Sequence, residues 1–351
     1  MATPKFSSSG ASFSERMNKE EEFFSTPFLL SYSGLNKLLF SPALFYNHYV
    51  LKQRTDTKER SMIEGSLIHC LFLNPESFDD QFVLSATDIP SDNPRLLLEK
   101  LFAVYKNNKV EYPEDLREDL HEFNDEILML LAEMNLYQSL KTDVQRLEKM
   151  LIEKHVSYWD YLKKSQGRIV IDHETYQFAT EVVEKLKSTP SVLDVMGFFE
   201  DPIKGVTKHN EIQLTMINDT YPFGLRGILD NLVIDPVAKE IRINDLKKSA
   251  KDLNSFKDSI EYYKYYLQGA MYYKLVEHVY LSLPEYADYK ITFRFVVIDP
   301  YMQIAPIRIS DETMSTWKTV LDTKLAEASY HFKQRDFNLP YEFLINSEMV
   351  L

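Results

Sequence analysis

Two aspartates and a lysine, Asp230, Asp245 and Lys247, stand at the edges of apolar-alternating runs in GILDNLVIDPVAKEIRINDLKKSA, residues 227–250. Asp230 and Asp245 are fifteen residues apart, the distance that two strands and a turn consume. Paired strands lie about 4.8 Å apart, so one carboxylate from each can grip one cation. Lys247 follows Asp245 by two residues and leaves an extended strand on the same face. Two hard oxygen donors with an adjacent ammonium suit Mg²⁺ and a developing anion, and the Leu246 carbonyl could add a ligand. Alone, Asp-x-Lys reads as a pair of exposed charges at hairpin ends.

The neighbourhood sharpens that reading. In YLQGAMYY, Gln268 and Tyr272 stand at i and i+4, and Lys264 at i−4 shares the face, so one helix side presents an amide, a phenol and a cation. Tyr266 in the same run and Tyr263 just before it read as core tyrosines. His69 closes a Gly-Ser-Leu-Ile-His run on another helix, where a lone histidine is commonly structural.

The elements that must position these groups follow from periodicity and caps. Residues 1–25 are small, polar and charged, and read as a disordered arm. Helix starts are expected at Ser33 and at Ser41-Pro42, a helix over MIEGSLIHCLFL, and a wholly helical stretch over 92–165, read as an insertion. NEIQLTMI, FGLRGILDNLVID and KEIRINDLK read as strands with turns at Asn218-Asp219 and Asp235-Pro236. One long helix capped by Ser255 follows, then strands KITFRFVVIDP and MQIAPIRIS, then a helix from Ser310 to about Phe337. Helices, three strands, a helix, two strands and a helix predict an α/β fold with a mixed sheet flanked by helices, one domain over 26–351.

Composition bounds the classes. The 351 residues can bury a large core, no stretch offers about 18 uninterrupted apolar residues for a membrane span, and Cys70 alone excludes a disulfide framework or a multi-cysteine metal site. A soluble cytoplasmic protein is expected. The net charge of −13 argues against nucleic acid on its face, yet it is unevenly placed. Residues 111–134 hold nine acids against one arginine, whereas Arg242 to Lys274 hold seven basic residues against four acids.

Together these motifs resemble the PD-(D/E)xK nuclease superfamily, and within it the exonuclease VIII (RecE-type) and lambda-exonuclease-like recombination nucleases. SYSGLNKLLFSPALFYNHY is similar to the family's opening helix pair. EGSLIHCLFLNPESFDDQFV is similar to its Gly-x-x-x-His segment, GILD and INDLKKSA to its metal-binding aspartate and (D/E)xK pair, and YYKYYLQGAMYY to its Tyr-x-x-Gln-x-x-x-Tyr helix. The resemblance implies metal ligation by His69, Asp230, Asp245 and Leu246, and catalytic roles for Asp230, Asp245, Lys247, Gln268 and Tyr272. Glu211 sits where relatives often keep an acid near the metals; Arg226 and Lys264 complete a candidate substrate-binding set. Ser41 stands where iron–sulfur members carry cysteine, so no cluster is expected.

The implied activity is a Mg²⁺-dependent exonuclease, with Mn²⁺ as substitute, acting 5′ to 3′ on duplex DNA ends in phage-type recombination within a bacterial or phage-infected cell. The implied partners are a single-strand annealing protein and further copies of the chain in a ring around DNA, with no membrane. Competing readings are a catalytically inactive binding or assembly protein and a structure-specific endonuclease.

Overall fold

The computed structural model describes residues 13–53, 59–199, 203–217 and 219–346. The chain divides into two compact units, residues 1–74 with 181–351, and residues 75–180. Its strands are β1 (Leu29–Leu30), β2 (Phe82–Leu84), β3 (Ile169–Ile171), β4 (Thr207–Met216), β5 (Gly224–Asp235), β6 (Glu240–Lys248), β7 (Lys290–Ile298) and β8 (Ile304–Arg308). The helices used below are α1 (Phe13–Phe24), α2 (Tyr32–Phe40), α3 (Arg60–Leu73), α4 (Pro190–Met196), α5 (Phe256–Tyr262), α6 (Tyr265–Tyr280) and α7 (Asp311–Gln334).

The larger unit carries a mixed six-stranded sheet in the order β1-β5-β6-β7-β8, with β4 also paired to β5. The pairs β4–β5, β5–β6 and β7–β8 are antiparallel; β6 and β7 are parallel, joined through α5 and α6. A parallel pair needs such a helical crossover, which lays α6 across the sheet. The helix α6 packs on β4, β5 and β7, while α4 packs against β5, β6 and β8. Consequently β6 is buried along nearly its whole length, as expected for strands covered on both sides. Leu229, Ile243, Phe293 and Phe295 pack with Leu267, Met271 and Leu275 of α6 and Leu321 and Leu325 of α7. Each such buried side chain contributes about 1.5–3 kcal/mol.

Residues 75–180 form a helical unit with its own core. The helices Asp92–Glu111, Asn124–Glu133, Asp143–Met150 and Glu153–Lys164 surround Trp159, whose ring meets Phe102, Tyr105 and Phe123 at 5.3–5.6 Å. The short strands β2 and β3 pair in parallel within it. Arg117 ties Asp115 to Glu126, which offsets part of the acidic run there. Among the described residues no helix is long and apolar enough to cross a membrane.

Three local features differ from the pattern-based expectation. Residues 1–12 of the expected arm lie outside the described residues, while Phe13–Phe24 forms α1, whose Phe23 and Phe24 pack on Phe332 of α7. The long helix expected after Ser255 is two helices, because Lys264 takes a left-handed conformation (φ 57°) between α5 and α6. The α2 cap is Ser31, whose Oγ accepts from the Gly34 N–H at 3.2 Å, and not Ser33. The turn residue Asn218 lies outside the described residues.

Candidate metal centre and active site

Three adjacent strands and one helix bring the charged groups together. The register Asn210↔Asn231 and Asn231↔Asn244 sets Glu211 of β4 beside Asp230 of β5, and Asp230 beside Asp245 of β6. From α3, His69 reaches the same point: its Nδ1 lies 3.5 Å from Asp230 Oδ1 and 4.0 Å from Glu211 Oε1. Ligand atoms of His69, Glu211 and Asp230 all lie within 4.8 Å of one another. Glu211 is held at φ 50°, inside a strand where neighbours are extended. A left-handed non-glycine residue costs roughly 1–2 kcal/mol, and such strain is concentrated at functional sites.

The opposite strand face explains what holds these acids in register. Each acid adjoins an asparagine: Asn210-Glu211, Asp230-Asn231 and Asn244-Asp245. Because neighbouring side chains on a strand point to opposite faces, the asparagines form a ladder behind the acids. Asn244 Nδ2 donates to Asn231 Oδ1 at 2.7 Å, and Asn231 Nδ2 to Asn210 Oδ1 at 2.9 Å. The same amides reach the backbone of α4 at Val195 O and Met196 O, and that of α3 at Leu73 O. Gly197 (φ 71°) ends α4 against the sheet; a Cβ there would meet Val233 at 3.1 Å. None of the three asparagines was singled out by pattern, although the three asparagine–acid dipeptides were a visible signal.

The residues fit a divalent cation. Asp245 is fully buried, yet neither carboxylate oxygen has a hydrogen-bond partner. The Lys247 ammonium stands against it as an ion pair, with Nζ 2.5 Å from Oδ2. Burial and the Asp230 charge push the Asp245 carboxyl up to about 6 against the pull of Lys247. Burial and the same Asp230 charge raise Glu211. Burial would depress His69, but Asp230 and Asp245 outweigh it and raise the imidazole to about 8. Burial likewise opposes ionisation of Asp230, yet the charges of His69 and Lys247 and the Leu246 N–H, donating at 2.7 Å, hold it low. Buried carboxylates crowded this closely call for a positive partner, which a cation supplies.

Asp245 is not one of the three that lie within 4.8 Å of one another, whereas Glu211 is. The Leu246 carbonyl, expected as a ligand, faces His69 Nε2 at 2.9 Å. A histidine donating from Nε2 presents Nδ1 to the carboxylates.

The helix α6 covers the cluster with Gln268 and Tyr272. Gln268 Nε2 donates to the Tyr272 hydroxyl at 3.1 Å, and its Oε1 is buried without a partner. Burial, then the charges of Asp245 and Asp230, raise the Tyr272 phenol well above its ordinary range, so it stays protonated. Gly227 permits the approach: a Cβ there would lie 2.8 Å from the Tyr272 ring. Two cavities share Tyr32 and Gln268. One, about 360 Å³, includes His69, Leu246, Lys247, Tyr263 and Tyr265 in its lining; the other, about 420 Å³, includes Ser31, Ser33, Gln213, Arg226 and Tyr272. Arg226 lines the second cavity, beside Gln268 and Tyr272. Lys264 lies apart from both: the break between α5 and α6 takes it out of the Gln268 face, and it lines a separate cavity with Lys324 and Glu327.

A solved structure of a proposed exonuclease from Eubacterium rectale is similar at 12% identity with a TM-score of 0.45, over 95% of this chain and 88% of that one. No curated protein matches. The model of the PD-(D/E)XK nuclease superfamily matches residues 29–335, a span that holds the mixed sheet and each of the clustered side chains, and the chain belongs to that superfamily.

Proposed function

We propose that this nuclease is a Mg²⁺-dependent exodeoxyribonuclease that hydrolyses phosphodiester bonds at duplex DNA ends from 5′ to 3′. The observation that carries the reading is the convergence of His69, Glu211 and Asp230 within 4.8 Å beside the buried Asp245–Lys247 pair, open to a cavity. In this reading His69, Asp230 and Asp245 hold the cation with help from Glu211. When bound, the cation supplies Lewis acidity to the scissile phosphate and the attacking water. Lys247 keeps its proton, since burial is outweighed by the Asp245 and Asp230 charges that raise it. Its ammonium orients the attacking water and offsets charge gathering on the phosphate. Gln268 Oε1 offers the water an acceptor, protonated Tyr272 positions the Gln268 amide, and Arg226 holds a neighbouring phosphate of the strand.

Digestion of an end-labelled linear duplex and a supercoiled circle, in Mg²⁺, Mn²⁺ or EDTA, tests this reading. The expected result is metal-dependent shortening of the linear strand from its 5′ end, an intact circle and no activity for Lys247→Ala. A nicked circle favours a structure-specific endonuclease. Bound but uncut DNA in every metal favours an assembly protein that kept the fold, a reading motivated by the charge of −13. A ring of several copies around DNA would concentrate basic surface inward despite that charge, and would hand a single strand to an annealing partner. Mass photometry with and without DNA measures the ring.

A further inference from the structure

Three tyrosines on the cavity wall, and a fourth against them, are not used by the chemistry above. Tyr263, expected in the core, is 46% exposed, and Tyr262 beside it is 78% exposed. Their rings meet edge-on at 4.9 Å, and Tyr263 stacks on Tyr265 at 5.3 Å with planes 24° apart. Tyr265 in turn carries the Lys247 ammonium 5.1 Å from its ring centre. Tyr263, Tyr265 and Tyr32 line the same cavity as His69 and Lys247. The Tyr263–Tyr265 stack spans the left-handed Lys264: in one continuous helix, residues at i and i+2 point about 200° apart and would not stack. The Tyr32 hydroxyl donates to the Tyr263 carbonyl released at the break and fixes it there.

Resting on the nuclease reading, we propose that Tyr262 and Tyr263 are a stacking platform for an unpaired nucleobase of the strand being cut. Every base has a π-face, so stacking on tyrosine accepts any sequence. In a duplex those faces are covered by neighbouring base pairs, and only a base released from its partner can present one. Ring contacts run in sequence from exposed Tyr262 through Tyr263 and Tyr265 to Lys247, so a base stacked at the outer end places its backbone near the cavity. Positive charge at the inner end and aromatic faces at the outer end match a single nucleic-acid strand, whose phosphates and bases alternate along its length. An isolated exposed tyrosine would need no explanation; a stack ending at the candidate catalytic lysine does.

The test compares the wild-type chain with a Tyr262→Ala/Tyr263→Ala double variant and with Tyr263→Phe. Substrates are a natural duplex and one with abasic sites at its terminal nucleotides. The expected result is a KM about tenfold higher for the double variant on the natural end, with kcat little changed. Tyr263→Phe should restore the KM, because it keeps the ring. On the abasic end wild type and double variant should be equal. An equal KM on natural ends, or the same rise on both substrates, overturns the platform. Should the wild type cut neither substrate, the nuclease reading fails, and quenching of a 2-aminopurine single strand in Ca²⁺ judges the platform alone. Quenching by wild type and its loss in the double variant support stacking; an unquenched probe with wild type overturns it.

Discussion

The two faces of β4, β5 and β6 carry polar side chains in the same places and treat them in opposite ways. Toward α4, Asn210, Asn231 and Asn244 link amide to amide and reach backbone carbonyls at both ends of the ladder. On the other face, Glu211, Asp230 and Asp245 crowd carboxylates together, and buried Asp245 has only the Lys247 ammonium, against one of its two oxygens. Burying a polar group is tolerable when it is hydrogen-bonded and costly when it is not. The satisfied face is therefore structural and the unsatisfied face is kept for a ligand.

The largest expected effect breaks the acid face alone. Asp230→Ala should reduce metal-dependent cleavage by about a thousandfold or more, with circular dichroism unchanged; retained activity would mean that the acids are only charged neighbours. Breaking the asparagine face should act on stability first. Asn231→Ala leaves Asn210 Oδ1 and Met196 O without donors, and urea unfolding should show a loss of about 2–4 kcal/mol. Metal affinity should fall with it, because the strands that bear the acids lose their tie.

A smaller effect concerns protons. With its folded pKa raised to about 8 from an ordinary 6.5, His69 stabilises the metal-free fold fully below pH 6.5, and that contribution is lost as pH rises through 8. A cation must displace this proton, so calorimetric Mn²⁺ affinity should rise roughly tenfold per unit from pH 6.5 toward 8 and then level off. An affinity independent of pH across that range would remove His69 from the ligand set. The smallest effect is at Glu211. Glu211→Gly relieves a left-handed residue and should raise stability by about 0.5–1 kcal/mol while weakening the metal, two opposite signs from one substitution.

Much of this was legible locally. Alternation marked the strands, the fifteen-residue spacing placed Asp230 and Asp245 side by side, and Ser41-Pro42 and Ser310 announced helix starts that their hydroxyls do cap. The resemblance added His69, which no local pattern tied to residues more than a hundred positions away. Illegible were the break at Lys264, the exposure of Tyr263 and the reach of the asparagines. Periodicity reads a helix through Lys264 because nothing in that stretch forbids one. The break is held by a hydroxyl from Tyr32, 231 residues distant.

The sequence by itself determined which strands form, which of their residues are acids and amides, and that these alternate, since these follow from side-chain type and a period of two. Only the tertiary structure decided which face became the acidic centre and which the clamped ladder. That choice depends on α4 offering unpaired carbonyls to one side of the sheet and α6 laying Gln268 and Tyr272 over the other. Hydrogen-bond partners that come from distant elements exist only once the chain has folded.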